Sequence, residues 1–211
     1  MLVNKNCILR LSKYKTALAR LKSFGFVKVF SDNLADAAGV TASQVRKDFS
    51  LFDLTGNKRG GYIIDEIIEK LNNILGKNQV QKVVVVGAGN IGHALMRYKG
   101  FEKEGIKIEA CFDSEAAKLK PNAQIPILGV DQLKEFVKTN KIKIAILAVP
   151  DVSAQAAWDC LKEAGIKGVL NFAPIRLKGG DDLVVNNVNL ELELENVIYF
   201  VNAMSKSKDK K

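Results

Sequence analysis

Gly87, Gly89 and Gly92 stand in the spacing G-x-G-x-x-G between a β-branched run, Gln81–Val86, and a helical segment, His93–Tyr98. The first glycine of such a pattern permits a tight turn, and the second lets backbone approach a pyrophosphate. The third lets the helix pack closely on the strand. N–H groups left free at the start of that helix stabilise negative charge. Gly87, Ala88, Gly89, Asn90, Ile91 and Gly92 are therefore expected to bind a dinucleotide. Asp113 ends a second strand, Ile106–Phe112, about 20 residues beyond the glycines. A carboxylate there accepts hydrogen bonds from the adenosine ribose hydroxyls and repels a 2′-phosphate. No arginine follows it, so NAD(H) is expected rather than NADP(H). Val149-Pro150 and Asn171-Phe172-Ala173-Pro174 end later strands at the same edge. They either line the nicotinamide half of the site or simply terminate strands.

A second group of residues is suited to a polyanion. Val45, Phe49 and Phe52 form an apolar stripe at i, i+4 and i+7, which leaves Ser43, Gln44, Arg46 and Lys47 facing away from it. Those four residues lie in the amino-terminal half of the helix, where a recognition helix meets base edges and phosphates. The glycine-rich segment Gly56–Tyr62 carries Lys58, Arg59 and Gly60 at its tip and leads into Tyr62-Ile63-Ile64. It reads as a β-hairpin wing whose cations lie against a sugar-phosphate backbone. Double-stranded DNA is the expected partner of both.

The elements that must position these groups divide the chain near residue 78. In the head, residues 1–78, Ile8, Leu11, Tyr14, Leu18 and Leu21 recur at helical spacing up to Phe24-Gly25. Ser31 can cap a short second helix that Gly39 closes, and Thr41 can cap the third. Two short helices across a tight turn make a helix-turn-helix unit. Asp65 then caps a helix running to Leu75. In the body, residues 79–205, strands and helices alternate: helix 131–139, strand 143–149, helix 154–164 and strand 168–172. Right-handed crossovers make this a doubly wound, mostly parallel Rossmann-type sheet behind a winged helix-turn-helix head. A two-strand excursion at 175–178 and 183–188 precedes a last apolar helix, 189–204. That helix either covers its own domain or dimerises, and the second is favoured because winged-helix proteins commonly read paired half-sites. Residues 206–211 read as a disordered basic tail.

Charge agrees with this division. Residues 1–80 carry 13 Lys and Arg against seven Asp and Glu, whereas residues 81–205 carry 15 of each. A basic head on a neutral body points to a polyanion at the head. No apolar run approaches the roughly 20 residues that cross a bilayer, and Arg10, Lys13 and Lys15 interrupt any secretory core, so a cytoplasmic protein with no membrane contact is expected. Cys7, Cys111 and Cys160 are scattered singly and read as small buried hydrophobes. His93 is the single histidine, which leaves little material for a metal site or a Ser-His-Asp triad. Hydride transfer needs an acid–base group beside the substrate, and Tyr98 is the one evident candidate. No enzymatic activity is expected; an NAD-dependent oxidoreductase or a CoA-binding protein is the alternative, and the basic head argues against both.

With these motifs in order, the chain resembles the Rex family of redox-sensing transcriptional repressors. VTASQVRKDFSLF (Val40–Phe52) is similar to the family's recognition helix and GNKRGGY (Gly56–Tyr62) to its wing. VVGAGNIG (Val85–Gly92), FD at 112–113, AVP at 148–150 and AGIKGVLNFAP (Ala164–Pro174) match its body. The resemblance implies a homodimer with a domain-swapped carboxy-terminal helix, bound to operator DNA and released by NADH, with NAD+ permitting binding. It also places Tyr98 with the cofactor-binding residues. The family has an arginine where this chain has Thr16 and Asp-Phe where it has Asn189-Leu190, and its wing arginine falls one position earlier. In the family the arginine and the Asp-Phe pair, at the positions of Thr16 and Asn189-Leu190, link the tyrosine to the head, so the coupling of redox state to DNA binding is expected to be altered here.

Overall fold

A computed structural model describes residues 4–56, 60–116 and 124–208, and its contacts gather into two compact units that divide between Val80 and Gln81. Within the first unit the order is α1 (Lys5–Ser23), β1 (Lys28–Val29), α2 (Ser31–Ala38), α3 (Ala42–Leu51), β2 (Tyr62–Ile63) and α4 (Ile64–Ile74). The helical spacing of Leu11, Tyr14 and Leu18 places one face of α1 in a core with Leu34 of α2, Val45 and Phe49 of α3, and Ile67 and Leu71 of α4. Tyr14, Phe49 and Tyr62 meet edge to face in series, with centroids 5.6 and 5.0 Å apart.

Gly39 closes α2 at φ +69°, the left-handed conformation that favours glycine, and Thr41 Oγ1 caps α3 by accepting from the Gln44 N–H at 3.2 Å. Two expected caps fall differently. Ser31 is the first residue of α2 rather than its cap; Phe30 precedes it, and Ser31 Oγ instead accepts from Arg46 Nη1 at 2.9 Å. Asp65 lies in the first turn of α4 and pairs with Lys22 Nζ at 2.6 Å. The strand before α4 is short, and Ile64 already belongs to the helix. Its antiparallel partner is β1, with Lys28 opposite Ile63 and Val29 opposite Tyr62. That pairing joins segments about thirty residues apart, which the glycine turn could not reveal by itself.

The second unit contains β3 (Gln81–Val86), α5 (Asn90–Met96), α6 (Gly100–Lys103), β4 (Ile106–Asp113) and β5 (Ile127–Gly129). A 3₁₀ turn at Val130–Gln132 leads to α7 (Leu133–Thr139), β6 (Ile144–Leu147), α8 (Asp151–Ala164), β7 (Gly168–Asn171), β8 (Val184–Asn187) and α9 (Leu190–Lys208). The six strands run in the order β5-β4-β3-β6-β7-β8, and every neighbouring pair is parallel. Alternation along β3 sends Val84 and Val86 to a core with Phe112, Leu133, Val137, Trp158 and Leu161, and Val83 and Val85 to one with Met96, Ile108 and Ile146. Helices therefore cover both faces, as a doubly wound sheet requires.

The excursion before the last helix supplies one strand. β8 joins the sheet edge parallel to β7, and the segment 175–178 is a loop. The amide of Asn187 takes the place of a ladder there, accepting from the Leu177 N–H at 3.1 Å and donating to its carbonyl at 3.1 Å. Asn171, wholly buried, donates to Asn187 Oδ1 at 2.9 Å and to the Ile175 carbonyl at 2.8 Å, and accepts from the Ala173 N–H at 3.0 Å. The two amides thus satisfy the polar groups of this turn from within.

Candidate functional site

Following the parallel strands to their carboxyl ends leads to the cleft. β4 lies on one side of β3 and β6 on the other, so the chain reverses direction of travel at β3, and ligands of open α/β sheets sit outside such a switch point. A cavity of about 560 Å³ occupies that place. Its walls are Gly87–Gly89, Phe112–Glu115, Val130, Leu133, Ala148–Pro150, and the α8 face of Ser153, Ala156, Ala157 and Cys160.

The three glycines differ in what confines them. Gly87 has φ +101°, and a Cβ there would lie 2.4 Å from the Ala148 carbonyl oxygen. A Cβ on Gly92 would lie 1.9 Å from the Gly87 oxygen, so this position sets how closely α5 approaches the turn. A Cβ on Gly89 would meet nothing within 4 Å among the described residues, which leaves open space above the loop backbone where a pyrophosphate would approach. Asp113 closes the loop from the next strand: its Oδ2 accepts from the Ala88 N–H at 2.8 Å and its Oδ1 from the Glu115 N–H at 2.9 Å. Each oxygen keeps a lone pair for a ribose hydroxyl. These residues fit the adenosine half of a dinucleotide.

Several expected positions take other roles. The Ala88 N–H is committed to Asp113, so Ala88 contributes shape rather than a free donor. Asn90 and Ile91 begin α5 beyond the cleft walls, both exposed. Val149 and Pro150 line the cavity, whereas Asn171–Pro174 are absent from its walls. Tyr98 also lies apart. It is 60% exposed, packs edge to face on Phe101 at 5.1 Å, and borders a separate groove with Arg97, Lys99 and Lys107. Cys7 and Cys111 are buried, but Cys160 is exposed in the cleft wall, against the expectation for all three. Burial first, and then the charge of Asp113, pushes the Cys111 thiol up to about 12. Sequence periodicity missed Val130, Leu133 and the small side chains of α8, because a wall built from three elements carries no local signature.

On the helix-turn-helix unit, Ser43, Arg46 and Lys47 are exposed on α3. Gln44 is half-buried, and its Nε2 donates to Asp48 Oδ1 at 2.8 Å. Gly60 is described, whereas Lys58 and Arg59 lie outside the described residues. Asp48 is the centre of a cluster that sequence reading did not single out. Its side chain is 1% exposed and receives Arg10 Nε at 2.6 Å, Arg10 Nη2 at 2.7 Å, Tyr14 Oη at 2.8 Å and Cys7 Sγ at 3.4 Å. Burial alone would raise its pKa; the hydrogen bonds from Arg10, Tyr14, Gln44 and Cys7 outweigh that and hold it at about 2. Burial, reinforced by Asp48, pushes the Tyr14 phenol upward.

The residues that depart from the resemblance are satisfied locally. Thr16 Oγ1 donates to the Ser12 carbonyl at 3.1 Å, and Asn189 Oδ1 accepts from the N–H groups of Glu191 and Leu192, capping α9. Along α9 every residue from Leu190 to Ser205 is exposed, including Leu194, Val197, Tyr199 and Phe200. Among the described residues no cluster of His, Cys, Asp and Glu could hold a metal ion, and no helix is long and apolar enough to cross a membrane.

Comparison with known proteins agrees with both units. A family model described as "Putative DNA-binding protein N-terminus" matches residues 3–50, and one described as "CoA binding domain" matches residues 78–175. The redox-sensing transcriptional repressor Rex of Carboxydothermus hydrogenoformans is 41% identical, over 89% of this chain and 91% of that protein. The Rex of Thermosipho africanus is 37% identical over 91% and 92%. Among solved structures, RSP, a Rex-family repressor, superposes with a TM-score of 0.88 at 34% identity, covering 99% of this chain and 98% of that one. RSP in complex with β-NAD+ and operator DNA gives a TM-score of 0.91 at 34% identity, covering 99% and 97%. Glycine turn, carboxylate, helix-turn-helix and whole-length similarity converge: the chain belongs to the Rex family of redox-sensing transcriptional repressors.

Proposed function

We propose that this protein is a homodimeric transcriptional repressor that binds operator DNA through α3 and the wing and senses NADH and NAD+ in the cleft beside Gly89. The observation that carries the reading is the coexistence of two sites in one chain. An exposed cationic face on a helix-turn-helix accompanies a glycine-turn cleft closed by a carboxylate. Ser43, Gln44, Arg46, Lys47, Lys58, Arg59 and Gly60 are assigned to DNA. Gly87, Ala88, Gly89, Val149, Pro150 and Asp113 are assigned to the coenzyme, with Gly92 holding the turn in shape. The exposed apolar residues of α9 are assigned to the dimer contact, since each large side chain is worth roughly 1.5–3 kcal/mol when buried. The protein acts in the cytoplasm and carries out no reaction on the coenzyme. Tyr98, the acid–base candidate of the sequence, borders a different groove from this cleft.

NADH is expected to release DNA, with a response weaker than an intact family linkage would give, because Thr16 and Asn189 bond within their own helices. Titrating operator binding against NADH and NAD+ tests this; DNA affinity indifferent to both forms would overturn the sensing role. In the same assay Arg46→Ala is expected to weaken operator binding by about tenfold to a hundredfold at fixed salt. Unchanged affinity would remove α3 as the reading element.

A second reading has one specific observation in its favour, the match of residues 78–175 to a CoA binding domain. Asp113 discriminates, because its carboxylate accepts from ribose hydroxyls and opposes a phosphate on the same sugar. Asp113→Ala is expected to weaken NADH binding at least about tenfold, by the removal of charge-assisted hydrogen bonds. If CoA displaced NADH from the wild-type protein, or if the variant bound NADH unchanged, the dinucleotide assignment would fail.

A further inference from the structure

Amides present two faces to a base, and a free glutamine can turn either one outward. Gln44 is not free. Its backbone N–H is held by Thr41 Oγ1 at 3.2 Å, and its Nε2 by Asp48 Oδ1 at 2.8 Å. The Asp48 carboxylate only accepts hydrogen bonds, so the amide orientation is decided chemically. Rotating the amide by half a turn would set Gln44 Oε1 against a carboxylate oxygen, acceptor against acceptor, in a setting where Asp48 is 1% exposed. Asp48 cannot swing aside to permit it. Arg10 grips both of its oxygens from α1, at 2.6 and 2.7 Å, and Tyr14 adds a third anchor at 2.8 Å.

Resting on the DNA-binding reading above, we propose that Asp48 is a positioning residue that locks the Gln44 amide with Oε1 outward, so that Gln44 reads a base bearing an exocyclic amino group. In the major groove adenine presents N6–H and cytosine N4–H, whereas guanine and thymine present O6 and O4 acceptors. An outward Oε1 therefore accepts from adenine or cytosine and opposes guanine or thymine. The Nε2 proton not bonded to Asp48 remains available for adenine N7, which ranks adenine first. Among the described residues, Ser43 and Lys47, exposed on the same helix, have no such lock, and Arg46 is tied to the hydroxyl of Ser31.

The test is a selection from a library of randomised duplexes using the full-length wild type, Gln44→Ala and Asp48→Asn, each checked for folding by thermal melting. The wild type is expected to enrich adenine or cytosine at one position of each half-site by about tenfold. Gln44→Ala is expected to lose that preference alone. Asp48→Asn can donate as well as accept, so Gln44 can turn over, and the enriched pair should be tolerated in either strand orientation. Replacing the enriched base by an analogue lacking its amino group should cost the wild type the same factor and leave Gln44→Ala indifferent. A merely weakened head would lower affinity for every duplex without moving the preference at one position. The proposal is overturned if removing the amino group from the enriched pair leaves wild-type affinity unchanged, if no position depends on Gln44, or if folded Asp48→Asn keeps the wild-type preference. Should Asp48→Asn fail to fold, the analogue experiment with Gln44→Ala decides. A wild type that enriches no sequence would instead remove the DNA-reading role itself.

Discussion

Asp48→Ala is expected to unfold the amino-terminal unit at temperatures where the sheet unit remains intact. The substitution leaves Arg10 facing a pocket built for a carboxylate and strips partners from Tyr14 and Cys7 at once. Removing one member of a buried pair costs about 3–5 kcal/mol. Arg10 keeps 25% exposure, which places the effect toward the lower end. For a unit of this size that loss is a large part of the total stability. The single tryptophan, Trp158, is buried in the second unit and reports on that unit by its emission. Circular dichroism should therefore reveal an early transition that Trp158 does not register. One cooperative transition at the wild-type temperature would contradict the assigned role.

The same cluster predicts an acid limit. With its native pKa held at about 2, against an ordinary 3.8, Asp48 favours the folded state whenever it is ionised. That stability, about 2 kcal/mol, is present above pH ~4 and is lost as pH falls from there toward 2. Melting of the head between pH 5 and 2 would follow it, and a head insensitive to acid in this range would contradict the pairing.

Gly92→Ala is expected to abolish dinucleotide binding, a weakening of a hundredfold or more, about 3 kcal/mol. The added Cβ would sit 1.9 Å from the Gly87 oxygen, a backbone atom of the turn itself. Relief requires α5 to move off the turn, at a packing cost of about 1–3 kcal/mol, and the geometry around the pyrophosphate goes with it. Gly89→Ala provides the control. Its Cβ would meet nothing within 4 Å among the described residues, so the fold should tolerate it while the space for ligand shrinks. Gly92→Ala should thus lower both melting temperature and NADH affinity, and Gly89→Ala affinity alone. If calorimetry found NADH binding to Gly92→Ala at wild-type strength, the close packing of α5 would not be what shapes the site.

Much of the architecture was legible in the sequence because its signals are local. Strand β3 was expected at Gln81–Val86 and lies there, since a β-branched run between a cation and a glycine turn has one reading. Thr41 caps α3 and Gly39 closes α2 because capping and left-handed turns depend on one or two residues. The glycine turn and the strand-end Asp113 were also legible, and a hydrogen bond from the Ala88 N–H to Asp113 Oδ2 joins them.

The sequence by itself therefore determined the order of elements and the places of the glycine turn and of α3. Tertiary structure alone decided that β8 joins the sheet, that β1 pairs with β2, and that Tyr98 borders a different groove from the cleft. It alone decided that Asp48, apparently one more polar residue on α3, gathers side chains from 34 to 41 residues away. The reason lies in range. Hydrophobic period and backbone preference act over a few residues, whereas the partners of a buried charge are chosen by how distant elements pack, because an unpaired charge cannot be left in the core.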